Sequence, residues 1–278
     1  MPTISIMTDF GLKDGNVGVM KGVIWSICPE AQIADVSHMI AAQNVHEAAL
    51  ILARSAPYFP AGSIHLVVVD PGVGTERRPL AARIGSHYYV GPDNGATTLW
   101  VERARAEGSP LEFVRLDRSE YWLPMVSHVF HGRDIFAPVA AHLAKGIALR
   151  ALGSPVDDPV ELDLPRPRRV RNGWQGEVIH IDHFGNVASN IQVRDLEEQL
   201  RSKVRVQVQV GKARIDGLVN TFGERPAGEV VALFGSTGNL IVSVVNGDAA
   251  AALGVGVGEP FRVTVAGAGN DSDSEARG

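Results

Sequence analysis

The chain has 278 residues, with 26 lysines and arginines against 31 aspartates and glutamates and a formal net charge of -5. Hydrophobic residues make up 45% of it, a composition typical of a globular protein with a sizeable core in one large or two modest domains. The mild acidity argues against a general nucleic-acid binder, and the lone Cys28 excludes an internal disulfide framework or a thiolate-rich metal site. The first residues lack a signal-peptide pattern, and no apolar stretch approaches the ~18 residues of a spanning helix, so we expect a cytoplasmic protein.

Strand-like and helix-like segments alternate through the first half of the chain. In chain order, the pattern predicts strands over residues 3–7, 33–36, 64–69, 80–84 and 88–90, and helices over 17–28, after Asn44 and over 134–144. Asn44 with Glu47 three residues later resembles a capping box at the start of its helix. Residues 64–69 are almost continuously apolar, which is typical of a strand buried on both faces of a parallel sheet. We therefore predict an α/β layered domain with a mostly parallel sheet.

The second half of the chain has the period of β-strands. Four prolines and several charged residues over 153–173 predict a linker. Residues 203–210 then alternate between apolar and polar side chains, and shorter apolar runs follow or precede them at 177–181, 229–234, 240–245 and 261–265. We predict an N-terminal α/β domain over residues 1–165, a smaller C-terminal β-barrel domain over 166–268 and a disordered tail over 269–278.

Polar residues cluster where the predicted strands end, which is where open α/β sheets place their ligands. Asp9 follows the first strand and can accept hydrogen bonds from ribose hydroxyls, although Asp9 or Asp14 can instead cap the next helix. Asp70 ends the third predicted strand, and a loop with two glycines and a proline leads to Arg77 seven residues later. Such a loop can bring the two side chains together, either as a functional pair or as a structural ion pair.

Two further clusters carry candidate chemistry. His131 precedes a glycine and the start of a helix, where it can face a cleft and exchange protons near neutral pH. A metal site of His128, His131 and Asp134 is a weaker alternative, because the sequence has no second ligand cluster with zinc-like spacing. In the β half, Asp182 and Asn186 flank a glycine turn that can bind an amine and a base ring, or form an ordinary Asx turn.

Spacing alone therefore indicates an enzyme that acts on a nucleoside-like or amino-acid-like small molecule. Five segments, in this order, carry a more specific resemblance: Thr8-Asp9-Phe10-Gly11, Asp70-Pro71-Gly72-Val73-Gly74, Gly91-Pro92-Asp93-Asn94-Gly95, Phe130-His131-Gly132-Arg133-Asp134 and Asp182-His183-Phe184-Gly185-Asn186. The chain resembles, from residue 3 to residue 265, the S-adenosylmethionine hydrolase family, the hydroxide adenosyltransferases. That family is related to the enzymes that make fluorinated and chlorinated adenosine.

The resemblance implies an N-terminal α/β domain, a C-terminal β-barrel domain and a homotrimer. It implies that S-adenosylmethionine binds at subunit interfaces, between the N-terminal domain of one chain and the C-terminal domain of its neighbour. Water or hydroxide would displace L-methionine from the ribose C5′ and give adenosine, with no metal or organic cofactor.

The resemblance also assigns roles to residues of this chain. One group would position and activate the water: Asp70, Arg77 and His131. A second group would hold the substrate: Asp9 and Phe130 at the ribose, Asp14 and Asn16 at the methionine end, Asp182 at the amino group, Ser236 near the carboxylate and Asn186 at the adenine.

Two alternative functions remain at this point. The halogenating relatives have a tyrosine where this chain has Asp70 and lack a histidine at the position of His131. Because a carboxylate in a small pocket repels a halide, we predict hydrolysis rather than halogenation. A non-catalytic S-adenosylmethionine or adenosine sensor would not need Asp70, Arg77 and His131, and their presence disfavours it.

Overall fold

The computed structural model describes residues 1–202 and 204–265, and the chain divides into two compact units. The first unit is Met1–Asp163 and the second begins at Leu164. This division falls two residues before the predicted domain boundary. The predicted tail over 269–278 lies outside the described residues. Among the described residues, no helix has the length and apolar character needed to cross a membrane.

The first unit is built on a seven-stranded sheet with the order β2-β1-β3-β5-β4-β6-β7. Its strands are β1 (Thr3–Thr8), β2 (Gln32–Ser37), β3 (Ile64–Val68), β4 (Pro79–Ile84), β5 (His87–Pro92), β6 (Leu111–Leu116) and β7 (Gly153–Pro155). Strands β2, β1, β3 and β5 are parallel, while β4 and β7 run antiparallel to their neighbours. All strands except β4 and β7 therefore point in one direction, and the predicted mostly parallel sheet is confirmed.

Helices cover both faces of this sheet. They are α1 (Asn16–Ile27), α2 (Val45–Ser55), α3 (Thr98–Ala106) and α4 (Ala137–Ala144). On one face, Ile4 and Ile6 of β1 share a buried cluster with Met20 of α1. On the other face, Met7 of β1 lies in a second cluster with Trp100 of α3. Because each face has its own helices, β3 is buried along its whole length, as its apolar sequence predicts.

The predicted helix over 134–144 is only partly correct. Residues Gly132–Phe136 form a π-helical turn, and the regular α4 begins at Ala137. Pro138 has no backbone N–H to donate to the carbonyl of Asp134, four residues earlier. That carbonyl accepts instead from the backbone N of Leu123 at 2.9 Å. The proline thus explains why the helix does not continue with α-helical bonding back to residue 134.

The predicted linker over 153–173 is wrong at both ends. Gly153–Pro155 forms the edge strand β7 of the first sheet, and Arg168–Val170 forms β8, which pairs only with β9. Both strands lie at the margin of a sheet, where a proline does not interrupt a ladder on both sides. Pro155 therefore belongs to an edge strand, while β8 has no proline and the other prolines of the segment lie in the connection.

The second unit is an antiparallel sheet with the order β12-β11-β15-β9-β10-β14-β13. Its elements are β8 (Arg168–Val170), β9 (Gly173–Ile181), β10 (Val187–Gln192), α5 (Glu197–Arg201), β11 (Val206–Val210), β12 (Ala213–Asp216), β13 (Val230–Phe234), β14 (Asn239–Val244), α6 (Ala249–Leu253) and β15 (Pro260–Val265). After β12, the backbone N of Val219 donates to the carbonyl of Ala232 in β13 at 3.0 Å and nearly closes the sheet. The predicted β-barrel character is confirmed.

Candidate active site

The loop after β3 brings Asp70 and Arg77 together. Nε of Arg77 donates to Oδ1 of Asp70 at 3.0 Å, and Nη2 donates to Oδ2, so the pair is bidentate. The side chains of Arg77 and Asp70 are only 7% and 5% exposed. The guanidinium also lies 5.4 Å from the ring centroid of the buried Phe136. The loop therefore presents a largely desolvated, bidentate ion pair beyond the end of β3.

His131 joins this pair through Arg77. Its Nδ1 lies 3.1 Å from Nη2 of Arg77. A guanidinium has donors and no acceptor, so Nδ1 must accept this bond and the neutral ring carries its proton on Nε2. The three residues thus form a chain in which Arg77 holds Asp70 on one side and His131 on the other.

Burial and the neighbouring charges set the protonation states of this cluster. Burial raises the pKa of Asp70, and the nearby Arg77 and His131 only partly offset that effect. Burial also lowers the pKa of His131, and the positive charge of Arg77 lowers it further. His131 is therefore neutral near neutral pH, while the carboxyl of Asp70 is a better proton acceptor than an exposed aspartate.

A glycine allows the two loops of the cluster to meet. Gly74 has a φ of 77°, and a Cβ at this position would collide with the backbone carbonyl of His128. The loop that carries Asp70 and Arg77 can therefore approach the segment before His131 only with glycine at position 74.

Aromatic rings form a wall next to the cluster. The rings of Phe10 and Phe130 make an edge-to-face contact with centroids 5.7 Å apart, and Arg133 lies 5.3 Å from the centroid of Phe130. Asp9, next to Phe10, has its Oδ2 occupied by the backbone N–H of Gln43 at 2.7 Å. Asp9 and Phe130 are thus connected through Phe10, and Oδ1 of Asp9 remains available as an acceptor.

Asp14 and Asn16 lie at the start of α1 and are exposed. The helix begins at Asn16, and its N-cap residue is Gly15, which makes no side-chain capping bond. The alternative in which Asp9 or Asp14 caps this helix is therefore wrong.

The metal alternative at His128, His131 and Asp134 is also wrong. His131 is engaged by Arg77, and Asp134 accepts from Arg133 and from the backbone N of Ser127 at 2.8 Å. Across residues 1–202 and 204–265, no group of three or more histidine, cysteine, aspartate or glutamate side chains is arranged to hold a metal ion.

Sequence reasoning missed the support of the Phe130–His131 segment. The Asp134 side chain is fully buried, and the Ser127 hydroxyl accepts from the backbone N of Phe130 at 3.0 Å. Burial works to raise the pKa of Asp134, but hydrogen bonds from Arg133 and Ser127 outweigh it and lower the pKa. An aspartate at the first position of a predicted apolar helix, next to an arginine, is the signal that could have identified this role.

In the second unit, Asp182 organises the turn between β9 and β10. Its Oδ1 accepts from the backbone N of Phe184 and of Asn186, each at 2.9 Å, and its Oδ2 accepts from Nδ2 of Asn186 at 2.8 Å. The Asx-turn interpretation therefore describes the backbone here. These bonds do not use Oδ1 of Asn186, and the Asp182 carboxylate keeps further lone pairs that can accept hydrogen bonds. Phe184, in the same turn, is 72% exposed.

Ser236 does not lie beside Asp182 and Asn186. It is exposed in the turn between β13 and β14, and Asn239 at the end of that turn pairs with Gln192. The turn at residues 182–186 comes just before Val187, at the other end of β10. At ~3.3 Å per residue, the two turns are separated by about 16 Å along the strand.

Comparison with known proteins identifies relatives along almost the entire chain. Residues 4–153 match the model of the SAM hydroxide adenosyltransferase N-terminal domain, and residues 176–262 match that of its C-terminal domain. The chain is 41% identical over 268 residues to the (R)-S-adenosyl-L-methionine hydrolase of Salinispora tropica, covering 95% of this chain and 98% of that protein. A fluorinase of an Actinoplanes species is 30% identical over 224 residues, or 71% of this chain and 74% of the fluorinase.

The fold has a counterpart among solved structures as well. An uncharacterized conserved protein from Thermotoga maritima superposes with a TM-score of 0.85 at 36% identity, covering 94% of this chain and 99% of the other.

Proposed function

The chain belongs to the SAM hydroxide adenosyltransferase family, and on this basis we propose that it hydrolyses S-adenosyl-L-methionine to adenosine and L-methionine. The observation that carries the proposal is the buried cluster of Asp70, Arg77 and His131, which can hold and deprotonate a water molecule. In the reaction, the water oxygen forms a bond to the ribose C5′ as the C5′–sulfur bond breaks. The bonding pair passes to the sulfonium, which leaves as the neutral thioether of methionine, and one proton is released.

Asp70 is the group in this cluster that takes the proton. Nε2 of His131 already carries a hydrogen, and Nδ1 can accept one only by losing its bond from Arg77. Asp70 retains lone pairs beyond those that Arg77 occupies, and burial raises its pKa. His131 instead donates through Nε2, a bond that strengthens as the water oxygen gains negative charge.

Arg77 orients the other two groups. Its Nε and Nη2 are committed to Asp70 and His131, while its Nη1 is buried and donates to no described residue. A buried donor of this kind can serve the oxygen of the nucleophile. Alignment of nucleophile and electrophile supplies much of the barrier reduction, on the order of 7–11 kcal/mol at best.

The substrate contacts follow the family assignment. Asp9 accepts from the ribose hydroxyls, the Phe130 ring lines the ribose, and Asn186 accepts from the adenine amine through Oδ1. At the methionine end the assigned residues are Asp14, Asn16 and Asp182. Ser236, about 16 Å from Asp182 along β10, is not included in this group.

A halide-using reaction is the second candidate, because fluorinases are among the relatives. The cluster disfavours it. The positive charge of Arg77 is already matched by the buried carboxylate of Asp70, which would repel a chloride or fluoride ion in the same pocket.

Product analysis tests the proposed function. Enzyme and S-adenosylmethionine are incubated in ordinary and in oxygen-18 water, with and without chloride or fluoride. The nucleosides are separated by chromatography, and their masses are determined by mass spectrometry. We expect adenosine and free methionine in every arm, and oxygen-18 in the adenosine only in the arms with labelled water. A halogenated nucleoside as the main product would favour the second candidate, and binding without turnover would favour a sensor.

The two halves of the site complete each other between copies of a cytoplasmic homotrimer. The support is the family assignment together with the placement of Asp70, Arg77 and His131 in one compact unit and of Asp182 and Asn186 in the other.

A further inference from the structure

The segment Asp93-Asn94 follows β5 and has no part in the function described above. Its two side chains nevertheless reach the residues that flank the Asp70–Arg77 pair. Nδ2 of Asn94 donates to the carbonyl of Val69 at 2.9 Å, and Val69 directly precedes Asp70. Oδ1 of Asn94 accepts from the backbone N of Ala96 at 3.3 Å, which fixes the amide plane.

Asp93 acts on the other side of the pair. Its side chain is 2% exposed, and its Oδ2 accepts from Nε of Arg78 at 2.7 Å. The backbone N of Asp93 also donates to the carbonyl of Arg78 at 3.0 Å, and Arg78 directly follows Arg77. The second carboxylate oxygen accepts from the backbone N of Val160 at 2.8 Å, so both oxygens of Asp93 are held.

Between these anchored residues the loop is held by the ion pair itself and by a 2.7 Å bond from the Thr75 hydroxyl to the carbonyl of Gly72. Its internal bonds include Val73 N to Asp70 O at 3.3 Å and Thr75 N to Gly72 O at 3.2 Å, both long. All of these bonds lie within residues 70–77, so the position of the pair relative to the sheet also depends on the anchors at the two ends of the loop. A misplacement of about 1 Å in such a group can reduce turnover by about 100-fold.

We propose that Asp93 and Asn94 are positioning residues for the Asp70–Arg77 pair. Asn94 holds Val69, which precedes Asp70, and Asp93 holds Arg78, which follows Arg77. This inference rests on the proposed roles of Asp70 and Arg77 in hydrolysis. It extends the site to a turn that touches neither the pair itself nor the substrate directly.

Steady-state kinetics on Asn94→Ala and Asp93→Asn test the inference. We expect kcat to fall about tenfold or more in each, with KM for S-adenosylmethionine changed less than about threefold, because the reacting groups and not the binding contacts are displaced. The acid limb of kcat should also move to higher pH. The groups that face Asp70 are Arg77, His131 and the buried Tyr89. If Arg77 is held less firmly, it lowers the pKa of Asp70 less, so that pKa rises further.

Two variants serve as controls. Thr98→Val removes a buried hydroxyl that bonds to Gly95 at 2.7 Å and Leu162 at 2.9 Å, so it loosens the same turn on the side away from Asp70. Asp158→Asn removes the exposed second partner of Arg78. Both should keep kcat within about twofold of the unmodified enzyme, although Thr98→Val should lower the melting temperature. If Asn94→Ala or Asp93→Asn fails to fold, Arg78→Lys gives the same test, because it keeps the charge and loses the fork geometry.

The inference is overturned if Asn94→Ala and Asp93→Asn have the kcat and the acid limb of the unmodified enzyme while their melting temperatures fall as much as that of Thr98→Val. An unmodified enzyme without turnover would refute the proposed function instead. In that case the carbon-13 titration of the Asp70 carboxyl still decides: a curve that differs between the unmodified protein and Asn94→Ala supports the inference, and identical curves overturn it.

Discussion

At the scale of single residues, the protonation states of Asp70 and His131 predict the pH dependence of turnover. Burial raises the pKa of Asp70 above its ordinary 3.8, so its carboxyl is protonated at a higher pH than usual. A protonated carboxyl cannot accept a proton, and kcat must therefore fall as the pH drops through this raised pKa. We expect one acid limb that belongs to Asp70, and a loss of about 100-fold or more in kcat for Asp70→Asn.

The kcat–pH profiles of the unmodified enzyme and of His131→Asn check this prediction. If His131 is only a donor, its replacement lowers kcat by about tenfold to 100-fold and leaves the acid limb in place. An acid limb that disappears in His131→Asn would contradict the assignment of Asp70 as the proton acceptor.

Local sequence patterns predicted the contact of Asp70 with Arg77, and the family resemblance added His131, but neither gave the bonds that join the three residues. Asp70 and Arg77 are close in the chain, and a glycine- and proline-rich loop between them favours contact. The bond between Arg77 and His131 joins residues 54 positions apart, and it depends on the close approach that Gly74 permits. Local patterns carry no such information, so the order Asp–Arg–His and the histidine tautomer became evident only from the fold.

At the scale of strands and helices, a hydrogen-bonded series of side chains around the buried His65 joins three neighbouring strands of the first sheet. It predicts that the fold loses stability in acid. His65 of β3 bonds to Ser5 of β1 at 2.7 Å and to His87 of β5 at 3.3 Å, and it is 1% exposed. Burial, with a smaller contribution from His87, lowers the pKa of His65 to about 3. The unfolded chain binds a proton to this residue below pH 6.5 and the folded chain does not. The free energy of unfolding is therefore unaffected by His65 above pH 6.5. It decreases as the pH falls from 6.5 toward 3, by about 1.4 kcal/mol per unit of pKa difference.

Urea unfolding from about pH 4 to about pH 8 measures this effect. His65→Gln should be less stable than the unmodified protein at neutral pH, but its free energy of unfolding should depend less on pH below 6.5. His46→Gln is a suitable control, because His46 is exposed on α2. Equal slopes for His65→Gln and the unmodified protein would show that this histidine does not cause the acid sensitivity.

Secondary-structure elements were predicted best where burial and period agree. Residues 64–69 read as a buried strand because helices cover both faces of β3, and the alternation at residues 206–210 matches the inward Val206 and Val208 of β11. The capping box at Asn44 was half correct. Oδ1 of Asn44 accepts from the backbone N of Glu47 at 3.0 Å, but the Glu47 carboxylate accepts from Ala41. The start of α4 was predicted too early because the effect of Pro138, which cannot donate to the carbonyl of Asp134, was not taken into account.

At the scale of the whole molecule, the proposed sharing of the site between copies predicts complementation between two inactive variants. Asp70→Asn damages the half of the site in the first unit, and Asp182→Ala damages the half in the second. Each pure variant should have little activity. A mixture refolded together should regain about a quarter of the unmodified activity, because random assembly joins two intact halves at about one interface in four.

The control for this experiment is a mixture of Asp70→Asn with His131→Asn, whose defects lie in the same unit and cannot restore an intact half. Restored activity only in the first mixture supports a site between copies. Failure of both mixtures, with native mass spectrometry showing mixed oligomers, would place the complete site within a single chain.

The central position of β3 also has a consequence for how the chain reaches its active form. This strand pairs with β1, where His65 lies opposite Ser5 across 60 residues, and Asp70 comes directly after it. Pairings between distant segments close large loops and form slowly. The reactive cluster, which also requires residue 131, should therefore assemble late in refolding. The return of hydrolysis should lag behind the return of helical signal, so that turnover reports the final step of folding.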